Sequence, residues 1–239
     1  MRRLLIANRG EIAIRVMRTA TEMGIETVAV VGSDDRHAPH AAHADEVIDL
    51  RGSGTAAYLN IEAIVEAART SGADAVHPGY GFLSERTDFA RAVEAAGLTF
   101  VGPTPETLAL FGDKVSASAR AAALGIPVLS LGDGPLNLND ATTVFADLPD
   151  GTAMMLKAVA GGGGRGVRIV QTIEELPDAI ARASAEAQAA FGDGRLYAER
   201  FLSRARHIEV QIVGDGRGAV QHLGTRECSL QRRHQKLLE

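Results

Sequence analysis

The sequence predicts an α/β protein in two parts: an open parallel sheet, then an α+β unit built around a glycine-rich hairpin. Two observations carry this. Over residues 1–112 short apolar strands alternate with amphipathic helices, the pattern of repeated βα units. Further on, Gly161-Gly162-Gly163-Gly164-Arg165-Gly166 lies between an apolar strand at 153–159 and the alternating segment 167–170.

The first part opens with the buried strand Leu4-Leu5-Ile6-Ala7 and a turn at Asn8-Arg9-Gly10. A helix over 11–23 follows, with Ile12, Val16, Ala20 and Met23 on one face. Residues 27–31 form the next apolar strand, and two strands joined by a helix predict a parallel pair with a right-handed crossover. The alternation continues through strand 46–48, helix 61–69, strand 75–76, a helix near 87–96 and strand 99–101. A helix at about 113–124 comes next, and Leu131-Gly132-Asp133-Gly134-Pro135 marks a boundary. A short helix, the glycine hairpin, a long helix near 173–190 and strands at 195–199, 207–213 and 219–223 complete the chain. Hairpins mixed with helices make 113–239 an α+β unit, and no internal repeat is visible.

A chain of 239 residues suits one large or two ordinary domains. Its net charge of -5 argues against a general nucleic-acid or membrane-surface role. A single cysteine, Cys228, excludes an intrachain disulfide and fits a reducing compartment. The N-terminus begins like a signal peptide, but Arg9, Glu11 and Arg15 interrupt the apolar run, and no segment is long enough to span a bilayer. A soluble, cytoplasmic protein is expected.

Glycines lack the Cβ that keeps anions away from backbone amides, so the 161–166 loop suits a flap over nucleotide phosphates, with Lys157 on the incoming strand. Gly161, Gly163 and Gly166 formally satisfy G-x-G-x-x-G, but that fingerprint needs a helix after it, and here a strand follows. A P-loop would place Lys-Ser or Lys-Thr after its last glycine, where this chain has Val167-Arg168. A protein-kinase loop has its lysine downstream. A plain hairpin turn needs one or two residues with positive φ, whereas this run has five glycines in six positions.

Five other constellations stand beside it. His37, His40 and His43, with no cysteine or fixed carboxylate to complete a set, read as a solvated loop rather than a metal site. His77-Pro78-Gly79-Tyr80-Gly81-Phe82-Leu83-Ser84-Glu85 follows a strand and precedes a helix that Ser84 would cap; it either borders a ligand crevice or is a rigid turn over a buried Tyr80. Lys114, opening a helix after Asp113, either faces an anion or is simply solvated. His207, Glu209 and Gln211 share one strand face, opposite Ile208, Val210 and Ile212, and look into a cleft or into solvent. The basic run Gln231-Arg232-Arg233-His234-Gln235-Lys236 is a solvated tail or an anion site.

Together these segments resemble the biotin carboxylase family, the ATP-grasp enzymes of biotin-dependent carboxylases. The carriers are Ile6-Ala7-Asn8-Arg9-Gly10-Glu11-Ile12-Ala13, the 77–85 segment, Gly112-Asp113-Lys114, Lys157 with its glycine loop, Arg206-His207-Ile208-Glu209-Val210-Gln211, and Cys228-Ser229-Leu230 with the basic run, in the family's order and spacing. The resemblance covers the whole chain. It implies a Rossmann-like, pre-ATP-grasp domain over 1–112 and the N-terminal part of an ATP-grasp domain over 113–239, with a lid at about 131–200. It implies that ATP, Mg²⁺ (or Mn²⁺) and bicarbonate give carboxyphosphate, whose breakdown delivers CO₂ to biotin on a carrier. By the same resemblance Lys114 and Lys157 bind phosphates, and Gly161, Gly162, Gly163, Gly164 and Gly166 form the lid loop. Glu199 and Leu202 contact adenine and ribose, with His207 and Gln231 close by; His234 and Lys236 are the catalytic candidates, His234 at the nucleotide and Lys236 near bicarbonate and the transferred phosphoryl group. Such a site works by positioning and charge neutralisation. Arg200 stands where family members often carry a lysine beside the adenine.

The family continues past residue 239 into the Mg²⁺-binding glutamates and the arginine and glutamate that handle bicarbonate and biotin. The expectation is therefore an N-terminal fragment, inactive alone, with no metal site inside the chain and an exposed edge on its second ATP-grasp sheet; only Glu227 and Glu239 lie in the terminal stretch. Implied partners are a biotin carboxyl carrier protein or domain, a carboxyltransferase subunit and a second copy of the full-length protein. An acyl-CoA carboxylase of the acetyl- or propionyl-CoA type is the default, and pyruvate and urea carboxylases share the motifs. The rival classes are a non-catalytic ATP-binding or assembly module and another ATP-grasp ligase such as carbamoyl phosphate synthetase, which the 228–236 run disfavours.

Overall fold

The computed structural model describes residues 1–132, 134–160, 166–232 and 235–236. The chain divides into two compact units, Met1–Gly112 and Asp113–Glu239.

The first unit runs β1 (Arg3–Ile6), α1 (Gly10–Glu22), β2 (Glu26–Val31), β3 (Glu46–Asp49), α2 (Gly54–Tyr58), α3 (Ile61–Thr70), β4 (Ala75–His77), α4 (Thr87–Ala95), β5 (Thr99–Phe100) and α5 (Pro105–Gly112). Its five strands are parallel in the order β3-β2-β1-β4-β5. Both faces are covered, which is why the strands read as nearly continuous apolar runs. Leu5, Ala7, Val28, Val30 and Val76 pack with Tyr58, Ile64, Phe89 and Val93 on one face. Leu4, Ile6, Ala29 and Ala75 pack on Ala13, Met17 and Ala20 of α1 on the other. The strand order reverses between β1 and β4, so the loops after these two strands flank the crevice where open α/β sheets hold ligands.

Several expectations are corrected here. The core face of α1 is the stripe Ala13, Met17, Ala20, and Met23 lies beyond the helix end at 69% exposure. Ser84 caps nothing: its amide closes a turn onto the Gly81 carbonyl, and α4 begins three residues later, at Thr87. The helices α2 and α5 were unforeseen. The stretch at 131–135 is no boundary, because Ser130 and Leu131 form a strand inside the second unit.

The second unit runs α6 (Lys114–Ala123), β6 (Ser130–Leu131), α7 (Leu138–Ala146), β7 (Met154–Ala158), β8 (Arg168–Val170), α8 (Leu176–Phe191), β9 (Leu196–Arg200), β10 (Ile208–Gly214), β11 (Val220–Glu227), β12 (Gln231–Arg232) and β13 (Gln235–Lys236). A capping box between Asn137 and Asp140 starts α7. Pro177 in the first turn and left-handed Gly192 after the last bracket α8. An antiparallel sheet of order β6-β9-β7-β8 packs one face, through Met154, Leu156, Val170 and Ala198, against Ala141 and Leu176. Because side chains alternate along a strand, the opposite face presents Met155 and Lys157 of β7 with Tyr197 and Glu199 of β9. The β10–β11 hairpin is different in kind. Its apolar residues Ile208, Val210, Ile212, Val213, Val220 and Leu223 are all exposed.

Candidate functional site

Lys157 is the one charge of β7, and Glu199 lies beside Arg200 at the end of β9. The pairing of β7 with β9 sets Lys157 opposite Tyr197 and Met155 opposite Glu199, so the two charges meet diagonally on one face. Lys157 Nζ lies 2.5 Å from Glu199 Oε2. The Tyr197 hydroxyl donates to the other oxygen, Oε1, at 3.1 Å. Tyr197 is buried, and burial first, then the Glu199 charge, push its phenol well above the ordinary tyrosine value. A cavity of about 210 Å³ borders this group, lined among others by Tyr197, Ser130 and, from α6, Val115 and Ser118. Lys114 is the first residue of that helix, and Asp113 caps it by accepting the Ser116 amide at 2.7 Å, which holds the Asp113 carboxyl below its usual range. Thus the helix that begins with Lys114 and the strand opposite Lys157 border one cavity.

Of the lid glycines, Gly161, Gly162, Gly163 and Gly164 lie outside the described residues. Gly166 is buried, at φ +66, and its carbonyl accepts the Ala158 amide at 3.1 Å. A Cβ there would stand 3.0 Å from Ala158 Cβ and 3.3 Å from Ala187 Cβ. The glycine lets α8 close on the end of β7.

A second cluster is centred on Glu209, which had been noted only as a neighbour of His207. Its carboxylate pairs with Arg226 at 2.6 Å, with His207 Nε2 at 3.2 Å and with the Lys236 ammonium. These contacts, Lys236 foremost and then Arg226, pull the Glu209 pKa down to about 2. Gln231 stands 2.9 Å from His207 Nδ1 and donates to the Cys228 carbonyl at 3.0 Å. Gln211 does not join: the register shifts between Val210 and Ile212, and its amide turns to the Ile212 carbonyl. His207, Gln231 and Lys236 are therefore brought together, and His234 lies outside the described residues. Leu202 lies elsewhere, in an open cleft of about 800 Å³ with Thr152, Gln171, Arg200 and Phe201.

In the first unit the loops after β1 and β4 are tied together. The buried Asn8 side chain donates to the Pro78 and Tyr80 carbonyls, each at 2.8 Å, and Gly79 donates to His77 Nδ1 at 3.0 Å. Tyr80, far from being buried, is 59% exposed, its hydroxyl on Glu11. Arg9 pairs with Asp35, which also accepts the Tyr58 hydroxyl at 2.8 Å. An open cavity of about 500 Å³ lies beside these loops, lined among others by Asn8, Arg9, Glu11 and Tyr80. His40 is another correction, since it is fully buried rather than solvated, with Nε2 at 3.3 Å from the Val30 carbonyl and Nδ1 unpartnered.

Among the described residues no group of three or more His, Cys, Asp or Glu could hold a metal ion. The carboxylates nearest the two clusters are committed: Glu199 to Lys157 and Tyr197; Glu209 to Lys236, Arg226 and His207; Glu227 to Arg206 and Ser229. No described helix is long and apolar enough to cross a membrane.

Residues 1–108 match the family described as biotin carboxylase, N-terminal domain, and residues 113–239 the one described as carbamoyl-phosphate synthase L chain, ATP binding domain. The chain is 48% identical to a biotin carboxylase of Pseudomonas aeruginosa, covering 100% of this chain and 54% of that one. It is 49% identical to pyruvate carboxylase 1 of Caenorhabditis elegans, covering 99% of this chain and 20% of the relative. Among solved structures, a Campylobacter jejuni biotin carboxylase complexed with β-γ-ATP superimposes with a TM-score of 0.95 at 43% identity, over 99% of this chain and 53% of that one. The biotin carboxylase domain of a Hydrogenobacter thermophilus 2-oxoglutarate carboxylase, a dimer with MgADP, ADP and bicarbonate, gives 0.92 at 43% identity, over 99% and 52%. The chain thus spans about half the length of the biotin carboxylases it matches and 20% of the pyruvate carboxylase.

Proposed function

The chain belongs to the biotin carboxylase family, and from that premise we propose that it binds ATP on the face carrying Lys157 and Glu199, as part of an enzyme that carboxylates biotin with bicarbonate. The observation that carries the reading is the placement of Lys157, part-buried with Glu199 on the sheet face opposite the core, at the strand that leads into the glycine run, next to Tyr197, which lines a cavity shared with the Lys114 helix. Lys157 and Lys114 neutralise phosphate charge there, and the glycines give backbone amides to it. ATP, when bound, supplies the phosphoryl group that activates bicarbonate. Lys236, held on Glu209, supplies positive charge at a fixed point for an anionic reactant, and His207 and Gln231 keep their mutual contact beside it. Mg²⁺ belongs to the nucleotide in this reading; the described carboxylates assign it no ligands.

A carrier bearing biotin, a carboxyltransferase, a second copy of the whole protein and a cytoplasmic location are parts of the same proposal. For the final acceptor an acyl-CoA is proposed, supported by 44% identity to a single-chain long-chain acyl-CoA carboxylase; a pyruvate acceptor is the alternative and has the greater support, from pyruvate carboxylases at 49 and 50% identity. The test is nucleotide binding by this chain. Calorimetry with ATP and ADP is expected to give binding that Lys157→Met weakens roughly tenfold, the worth of one charge-assisted contact. Absence of binding by a chain whose circular dichroism shows it folded would sink the reading.

A further inference from the structure

Tyr197 lies between the core residues Leu196 and Ala198 and is itself 4% exposed, so packing alone would be served by phenylalanine. Its hydroxyl nonetheless ends on a carboxylate. The terminal torsion of a glutamate is broad and leaves the carboxylate free to turn. Here one oxygen, Oε1, takes the Tyr197 hydroxyl at 3.1 Å and the other, Oε2, takes Lys157 Nζ at 2.5 Å. With Oε1 tethered, Oε2 points in one direction, and the ammonium at the end of a flexible four-carbon stem is fixed with it.

We infer that Tyr197 is a positioning residue for the nucleotide site: through Glu199 it presets the Lys157 ammonium on the sheet face where a phosphate arrives. The inference rests on the ATP-binding reading above. An ammonium has three donors, so Lys157 holds Glu199 with one and keeps others for phosphate oxygens. A lysine already ordered loses less freedom when the phosphate binds, and that difference appears as affinity. The phenol, kept protonated by burial and by the neighbouring charge, donates throughout the neutral range.

Lys114, Lys157 and Lys236 are the only lysines in the chain, which makes the tether directly readable. Brief competitive acetylation followed by peptide mass spectrometry compares Lys157 with the other two as internal references. In Tyr197→Phe, Lys157 is expected to label about three- to tenfold faster, the loss of one hydrogen bond to a charged group, with Lys114 and Lys236 unchanged. Glu199→Gln should give a similar rise, with no further rise in the double variant. The same Tyr197→Phe chain should bind ADP about three- to tenfold more weakly and adenosine, followed by NMR, as before, because only the phosphates meet Lys157. Unchanged Lys157 labelling overturns the tether, and an equal loss for ADP and adenosine shows a merely structural tyrosine. A parent chain that binds no ADP fails the nucleotide reading and removes the purpose assigned to the tether, whereas labelling reports on the contact itself.

Discussion

Glu209 gathers His207, Arg226 and Lys236 on one carboxylate, and its charge is what lets the two cations Arg226 and Lys236 share so small a space. Held at about 2, against about 4.3 for a free glutamate, it binds its proton less readily folded than unfolded. The sign follows: its contribution to stability is fully present above the unfolded value and is lost as pH falls toward the folded one. Glu209→Gln is therefore expected to lower the thermal midpoint of the second unit at pH 7. The gap between variant and parent should narrow as pH is taken from about 5 to about 2, over the interval between those two values. Other depressed carboxylates in this unit, Asp113, Glu174, Asp193 and Glu227, titrate in both proteins and cancel in the comparison. A gap that keeps its size across that range would show that Glu209 acts through shape rather than charge.

At the scale of elements, the approach of α8 to the sheet turns on Gly166. Alanine there meets two costs, a left-handed backbone and a Cβ crowded between Ala158 and Ala187. Gly192, also left-handed, has open space around its missing Cβ. Gly166→Ala is expected to destabilise the second unit by about 1–3 kcal/mol and Gly192→Ala by only about 1 kcal/mol, read as shifts in urea midpoint. Equal shifts would mean that backbone conformation alone matters at both positions. What the sequence disclosed about elements follows from the range of the forces involved. The strand at Lys157 was legible as an apolar run and the strand at 167–170 from alternation, both of which are local. Helix α5 was missed although Thr104 before Pro105 is a start signal, and Thr104 Oγ1 does accept the Thr107 amide at 3.2 Å. Tyr197 was passed over because a tyrosine in an apolar strand reads as core, and only the register with β7 shows its hydroxyl on Glu199. Arg226 and Glu209 are 17 residues apart, and nothing local pairs them; the hairpin does.

For the molecule as a whole, the division after Gly112 is a statement about cores. The two clusters of the first unit draw only on residues between Leu4 and Leu108, and those of the second only on residues from Leu131 to Leu196 and Ala198. A parallel sheet covered on both faces within 112 residues has enough buried surface to fold by itself. Residues 1–112 produced alone are accordingly expected to unfold cooperatively, with a midpoint within a few degrees of the corresponding transition in the whole chain. The isolated unit also carries a pH signature. Burial lowers the pKa of both His40 and His77, so the unfolded state binds more protons as pH falls through the ordinary histidine value of about 6.5. The midpoint should fall between about pH 7.5 and pH 5.5, and less steeply in His40→Asn, measured against its own value at pH 7.5. The second unit offers the contrast, because its β10–β11 hairpin exposes apolar side chains along its length. If the separated first unit failed to fold while the whole chain melted in one step, its core would depend on the second unit after all, and the division at Gly112 would be one of geometry without energetic independence.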